Sequence, residues 1–173
     1  MLIPPVHFDA NEWLVLTTMV ALPILMYITP KRFSAVTAIA VMLYNIAFSL
    51  ATDCLAGSCF PWDLYDTMDT DQYDLFDLFI YIVQYPIYGY FFAWFLSFWR
   101  NNTGLVILYV LIWSLWTTFL EWVAVQFHVY NYNPGWSITH SAFFYVIYFL
   151  LEAKFVQWMF SQDEQLGTVQ RPL

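Results

Sequence analysis

Five stretches of about 20 mostly apolar residues recur along the chain, at approximately 13–29, 33–52, 75–99, 104–127 and 138–160. Each is long enough to cross ~30 Å of hydrocarbon as an α-helix. In lipid every backbone N–H and C=O has to be paired within its own segment, so a helix is the structure such stretches can adopt. The sequence therefore predicts an all-α integral membrane protein, a five-helix transmembrane bundle in a single domain spanning residues 1–173. Composition agrees, with 61% hydrophobic and only 10% charged residues, where a soluble domain carries about 25% charged. Pro30-Lys31-Arg32, the run Arg100 to Gly104 and the run Asn131 to Gly135 read as polar turns between spans. Pro23 and Pro86 fall inside spans and predict kinks.

Charge sets an orientation. If the N-terminus is outside, the cytoplasmic connections contain or adjoin Lys31, Arg32, Arg100, Lys154 and Arg171, which are all five basic residues of the chain. The opposite side holds the N-terminal tail, the 53–74 loop and the 128–137 loop, without a Lys or Arg. The positive-inside rule then gives N-out, C-in in a plasma membrane. Met1 to Glu12 lacks the charged start of a signal peptide, so the first span is expected to stay. Exterior placement would let Cys54 and Cys59 close a small disulfide loop, the alternative being two thiols at a helix end. With thirteen acidic residues against five basic ones, no basic patch is available for nucleic acid.

Polar and small residues recur at helical spacing. Asp74, Asp77, Tyr81, Gln84 and Tyr88 share one face of the third span, and Ser114, Thr117, Glu121, Ala124 and His128 one face of the fourth. The second offers Ser34, Ala38, Val41, Asn45 and Thr52, the fifth Ser137, Ser141, Tyr145, Tyr148 and Glu152. Such seams ordinarily join helices, each contact contributing ~0.6 kcal/mol. Glu121, about 9 Å inside its span at 1.5 Å per residue, exceeds what joining requires. Counted from the same membrane face, Asn45, Tyr81 and Tyr145 reach its level, with Asp77, His128 and His140 above. Together with Gln84 these residues form a candidate polar pocket opening outward: Asn45, Asp77, Tyr81, Gln84, Glu121, His128, His140 and Tyr145.

Asp77, Glu121, His128 and His140 are metal-ligand types. However, Glu121 and His128 are ~10 Å apart along one helix axis, so no metal and no other cofactor is expected. Glu152 and Lys154 point to different faces: Lys154 can reach the interface, and Glu152 either bonds to another helix, through Tyr44 or Trp99, or is a water-shielded interfacial charge. The acidic exterior loop carries Asp53, Asp63, Asp66, Asp69, Asp71 and Asp74. An EF-hand beginning at Asp69 fails, because Asp74 stands where glycine is required, so the loop reads as solvated or ordered by a cation. Trp122, Trp136 and Trp158 lie near span ends as an interfacial belt. Nucleophile elbows, zinc-protease pairs and nucleotide fingerprints are absent from the sequence, and Ser137, His140 and Ser141 make a poor nucleophile–base set.

The segments Trp62-Asp63-Leu64-Tyr65-Asp66, Leu75-Phe76-Asp77, Tyr85-Pro86, Phe119-Leu120-Glu121-Trp122, Gly135-Trp136-Ser137 and Gln157-Trp158 together resemble an uncharacterised family of small multi-pass membrane proteins from spore-forming Firmicutes, bacilli and clostridia among them. The resemblance covers about residues 60–160 and brings no activity, cofactor or catalytic residue; it implies a bacterial cytoplasmic membrane. The function expected from the residues is a non-enzymatic structural or assembly component, embedded in the lipid bilayer and joining a second copy or another membrane protein. The alternatives are a small transporter or proton-relay component using Glu121, and an intramembrane enzyme acting on a lipid or isoprenoid.

Overall fold

The computed structural model describes residues 7–57, 63–68 and 75–167. Five helices in it are long and apolar enough to cross a membrane: α1 (Ala10–Ile28), α2 (Ala35–Ala56), α3 (Leu75–Leu96), α4 (Thr103–Gln126) and α5 (Ile138–Gln165). The expected five-helix architecture is therefore present. Two short strands accompany it, β1 (Tyr65–Thr67) and β2 (Tyr130–Tyr132).

Helix starts follow local chemistry. Asp9 and Glu12 form a capping box on α1, the Glu12 carboxyl accepting from the Asp9 amide at 2.7 Å. Ser34 and Asn102 cap α2 and α4 by accepting from the amides of Thr37 and Leu105, at 3.0 and 3.1 Å. At the C-terminus of α4, His128 takes a left-handed φ of 57°, with Val129 N–H donating to the Ala124 carbonyl and His128 N–H to that of Val125. This is a Schellman ending, and the Ala124–Val129 apolar contact that accompanies it is present.

The central helix is α3, which packs against all four others. Its small residues Gly89 and Ala93 and its buried rings Tyr90 and Phe92 meet Val41, Val110, Phe149 and Val156 in the main core. The expected kink at Pro86 takes a particular form: Ile80–Gln84 is one turn of π-helix, closed by Tyr85 N–H on the Ile80 carbonyl. Pro86 has no N–H to donate, and its ring would collide with the carbonyl four residues back; a wider turn just upstream relieves both. By contrast, α1 runs through Pro23 without a break.

The fold has two unlike ends. At one, β1 and β2 pair antiparallel in the register Tyr65 with Tyr132, Asp66 with Asn131 and Thr67 with Tyr130, tying the α2–α3 connection to the α4–α5 connection. The Asn133 side chain donates to Asp66 at 3.0 Å, and the chain then turns at Asn133–Trp136 with Pro134 and Gly135 (φ 109°) at the central positions of a type II turn. The part of the acidic loop between 63 and 68 is thus ordered by strand pairing. Cys59 and the loop's Asp69, Asp71 and Asp74 lie outside the described residues, so the expected Cys54–Cys59 bridge does too. The other end gathers Lys31, Arg32 and Arg100, and Arg100 pairs with Glu164 at 2.5 Å.

The last helix extends past the expected end at 160. Its 28 residues measure about 42 Å, more than the ~30 Å of hydrocarbon. The extra turns carry Asp163, which accepts from Ser34 Oγ (2.6 Å), Ser34 N–H (3.1 Å) and Thr37 Oγ1 (2.9 Å) at the start of α2.

Candidate functional site: two buried carboxyl centres

The first centre forms beneath the strand ribbon. Glu121, in the last turns of α4, is 8% exposed. Its Oε1 accepts from Tyr132 Oη and from Ser141 Oγ, each at 2.6 Å. Trp136 Nε1 in turn donates to Ser141 Oγ at 3.0 Å, fixing that hydroxyl so that its proton faces the carboxyl. Glu121 Oε2 is buried and has no close hydrogen-bond partner among the described residues. Tyr145 lies against the same carboxyl from α5. Beside them the hydroxyls of Tyr85 and Tyr130 bond to one another, while those of Tyr65 and Tyr81 bond to Asp53.

Outside the spans, burial holds the ribbon tyrosines in the neutral form. It pushes Tyr130 well above the ordinary phenol value, and it raises Tyr65 with help from the Asp53 charge. Tyr132 is raised first by burial and then by its bond to Glu121. Neutral phenols can both donate and accept, which is what a hydrogen-bonded relay requires.

The second centre is deeper. Glu152, fully buried on α5, accepts from Asn45 Nδ2 of α2 at 2.7 Å. The same Nδ2 reaches the Val41 carbonyl at 2.9 Å, and Tyr148 Oη donates to Asn45 Oδ1 at 2.5 Å. Glu152 Oε2 is buried without a close partner among the described residues, with Tyr148 beside the carboxyl. Gly89 of α3 backs this cluster: a Cβ there would stand 1.9 Å from Asn45 Nδ2. Tyr85 also lies near Tyr145 and Tyr148.

The eight residues expected to share one pocket are thus distributed. Glu121, Tyr145 and Tyr81 lie in or beside the first centre, and Asp77, 1% exposed, is close enough to act electrostatically on Tyr85. Asn45 belongs to the second centre. Gln84 turns to α1, donating to the Val15 carbonyl at 2.9 Å and to Thr18 Oγ1 at 2.8 Å. His128 and His140 are exposed; the first serves the end of α4, and the second bonds through Nδ1 to Ser137 Oγ at 2.8 Å and stacks on Trp136. Glu152 does reach another helix, through Asn45, with Tyr44 near enough to sense its charge. No group of three potential metal ligands occurs among the described residues.

Sequence reasoning missed Tyr132, Tyr130 and Tyr85 as partners in the first centre and Asp163 as a helix clasp. Tyr85 had a local signal in the Tyr85-Pro86 pair, since proline inside a span disturbs the turn before it. The ribbon tyrosines had none, because their position depends on strand pairing across 65 residues of chain. Comparison of the chain with protein-family models, with curated proteins and with solved structures gave no match.

Proposed function

We propose that this multi-pass membrane protein is a proton-relay component of a bacterial plasma membrane, a single transmembrane domain oriented N-out and C-in, with Glu121 as its proton-exchanging group. The observation that carries the reading is the buried Glu121 carboxyl, which has one oxygen held by two hydroxyls, the other without a close partner among the described residues, and the Tyr145 hydroxyl against it. Leaving a buried polar atom unpaired costs ~1–3 kcal/mol, and at Glu121 the Tyr145 hydroxyl lies against that carboxyl. A proton arriving from the ribbon end binds Oε2 and neutralises the carboxylate. Its departure to the Tyr145 hydroxyl, which gives up its own proton in exchange, restores the charge. Gathering of Lys31, Arg32 and Arg100 at the opposite end supports the orientation, and the resemblance to membrane proteins of spore-forming Firmicutes supports the bacterial setting.

The experiment uses the purified chain in proteoliposomes holding a pH-sensitive dye, with Glu121→Gln as the variant. Expected are proton flux in the parent protein, its loss in the variant, and unfolding temperatures within a few degrees of each other. Absence of flux in the parent, or flux unchanged by the substitution, refutes the relay. A second reading, a structural component that assembles with a copy of itself or another membrane protein, is favoured by the number of buried polar groups committed to clasping helices, Asp163 with Ser34 and Thr37 and Gln84 with Thr18. It predicts that Glu121→Gln alters little besides stability.

A further inference from the structure

The chain carries a formal charge of −8, yet its described cationic side chains collect toward the end opposite the ribbon. Arg100 there is engaged by Glu164. Arg32 is different: among the described residues no carboxylate pairs with it. Its Nε donates to Ser97 Oγ at 2.8 Å, and its guanidinium carbon stands 3.8 Å above the Phe98 ring and 5.8 Å from that of Trp94. Ser97 gives its own proton to the Trp94 carbonyl at 2.6 Å, which leaves a lone pair for Arg32. The Trp94 indole N–H meanwhile bonds to the Pro30 carbonyl at 2.9 Å, so the turn bearing Arg32 is tied to the end of α3.

These contacts use one guanidinium nitrogen and one face. They fix the plane of the group while leaving both terminal nitrogens without a partner among the described residues. A planar, pre-oriented fork of N–H donors matches two oxygens of a phosphate. The surroundings select the source of that phosphate. Tyr27, Ile28, Phe98 and Trp99 are exposed apolar surfaces beside the fork, suited to acyl chains, and Lys31 next to Arg32 is exposed. We propose that Arg32, supported by Lys31, is a binding site for the phosphate of an anionic phospholipid headgroup. The site is independent of the Glu121 relay.

Native mass spectrometry of the full chain in detergent micelles, titrated with phosphatidylglycerol, phosphatidylcholine or inorganic phosphate, tests it. Both lipids carry the phosphodiester, but the choline ammonium opposes Lys31, so the expected result is roughly tenfold tighter retention of phosphatidylglycerol than of phosphatidylcholine, equivalent to one decade in Kd. Arg32→Gln should erase that preference, and Arg32→Lys, which keeps the charge but loses the fork, should erase most of it. Lys154→Gln, an equal change of charge on an exposed residue, should leave it intact. Ser97→Ala, which frees the guanidinium without discharging it, should weaken it severalfold; together with Arg32→Lys it decides the matter if Arg32→Gln fails to fold. Equal losses in Arg32→Gln and Lys154→Gln would reduce the effect to bulk charge and overturn the site. Displacement of the lipid by equimolar inorganic phosphate, or equal retention of the two lipids, would overturn the headgroup assignment.

Discussion

Replacing Gly89 by alanine puts a methyl carbon 1.9 Å from Asn45 Nδ2 and 2.3 Å from its Cγ, inside any permitted contact. A free asparagine would rotate away at little cost. Asn45 is held by three hydrogen bonds, to Val41, Glu152 and Tyr148, and leaving its place breaks them. At an average of ~0.6 kcal/mol for a polar contact between membrane helices, the two bonds to α5 amount to about 1 kcal/mol, and the bond to Val41 within α2 adds roughly 1 kcal/mol more. Overpacking between tightly apposed helices adds roughly 1–3 kcal/mol. Gly89→Ala is therefore expected to destabilise the bundle by about 3–5 kcal/mol, at least a hundredfold in the unfolding equilibrium. Reversible unfolding in mixed micelles measures this, and Asn45→Ala supplies the control. With the amide gone, the methyl group has space, so Gly89→Ala in the Asn45→Ala background should cost less than 1 kcal/mol; this non-additivity is the signature of direct contact. A single variant within ~0.5 kcal/mol of the parent, or one equally harmful in both backgrounds, would show that the α2–α3 approach is not limited by this pair.

Two further predictions concern opposite ends of the bundle. Asp163→Ala strips the acceptor from Ser34 and from the fully buried Thr37; a loss of about 2–3 kcal/mol is expected from the stranded donors, with Asp163→Asn milder because it keeps one acceptor oxygen, both read from the same unfolding assay. Burial and the bond to Glu121 raise Tyr132 above its unfolded value, so its contribution is complete below pH ~10 and is lost as pH climbs through the higher folded value. Stability between pH 8 and ~11 should accordingly stay level and then decline, and Tyr132→Phe should make the alkaline decline shallower.

The five helices were legible because lipid makes one demand of every span, and the run Asn131 to Gly135 marked a turn that the structure places at Asn133–Trp136. The site was legible by residue type but not by depth. Asn45 was placed level with Glu121 by counting inward from Thr52, where polar residues begin. The helix continues to Ala56, four residues farther, so Asn45 lies about a turn deeper and meets Glu152 instead. Asp53 stays helical at that extension because its carboxyl receives Tyr65 and Tyr81 from elsewhere in the chain. The same logic hid the end of α5: Asp163 reads as interfacial until the two α2 hydroxyls that bond to it are in view. In each case a polar residue was taken as a boundary when a distant partner had made it interior.

The way α1 docks bears on how the chain is made. Its polar clasp is with the third helix, through Gln84 on Thr18, a partner 66 residues later in synthesis. At ~5–20 residues per second, the leading helix waits several seconds in the bilayer before its mate is translated. During that interval Glu12, wholly enclosed in the finished protein, has only its own first turn for company. A premature stop before residue 84 would leave α1 without the helix that clasps it, the species that quality-control proteases of the membrane would meet first.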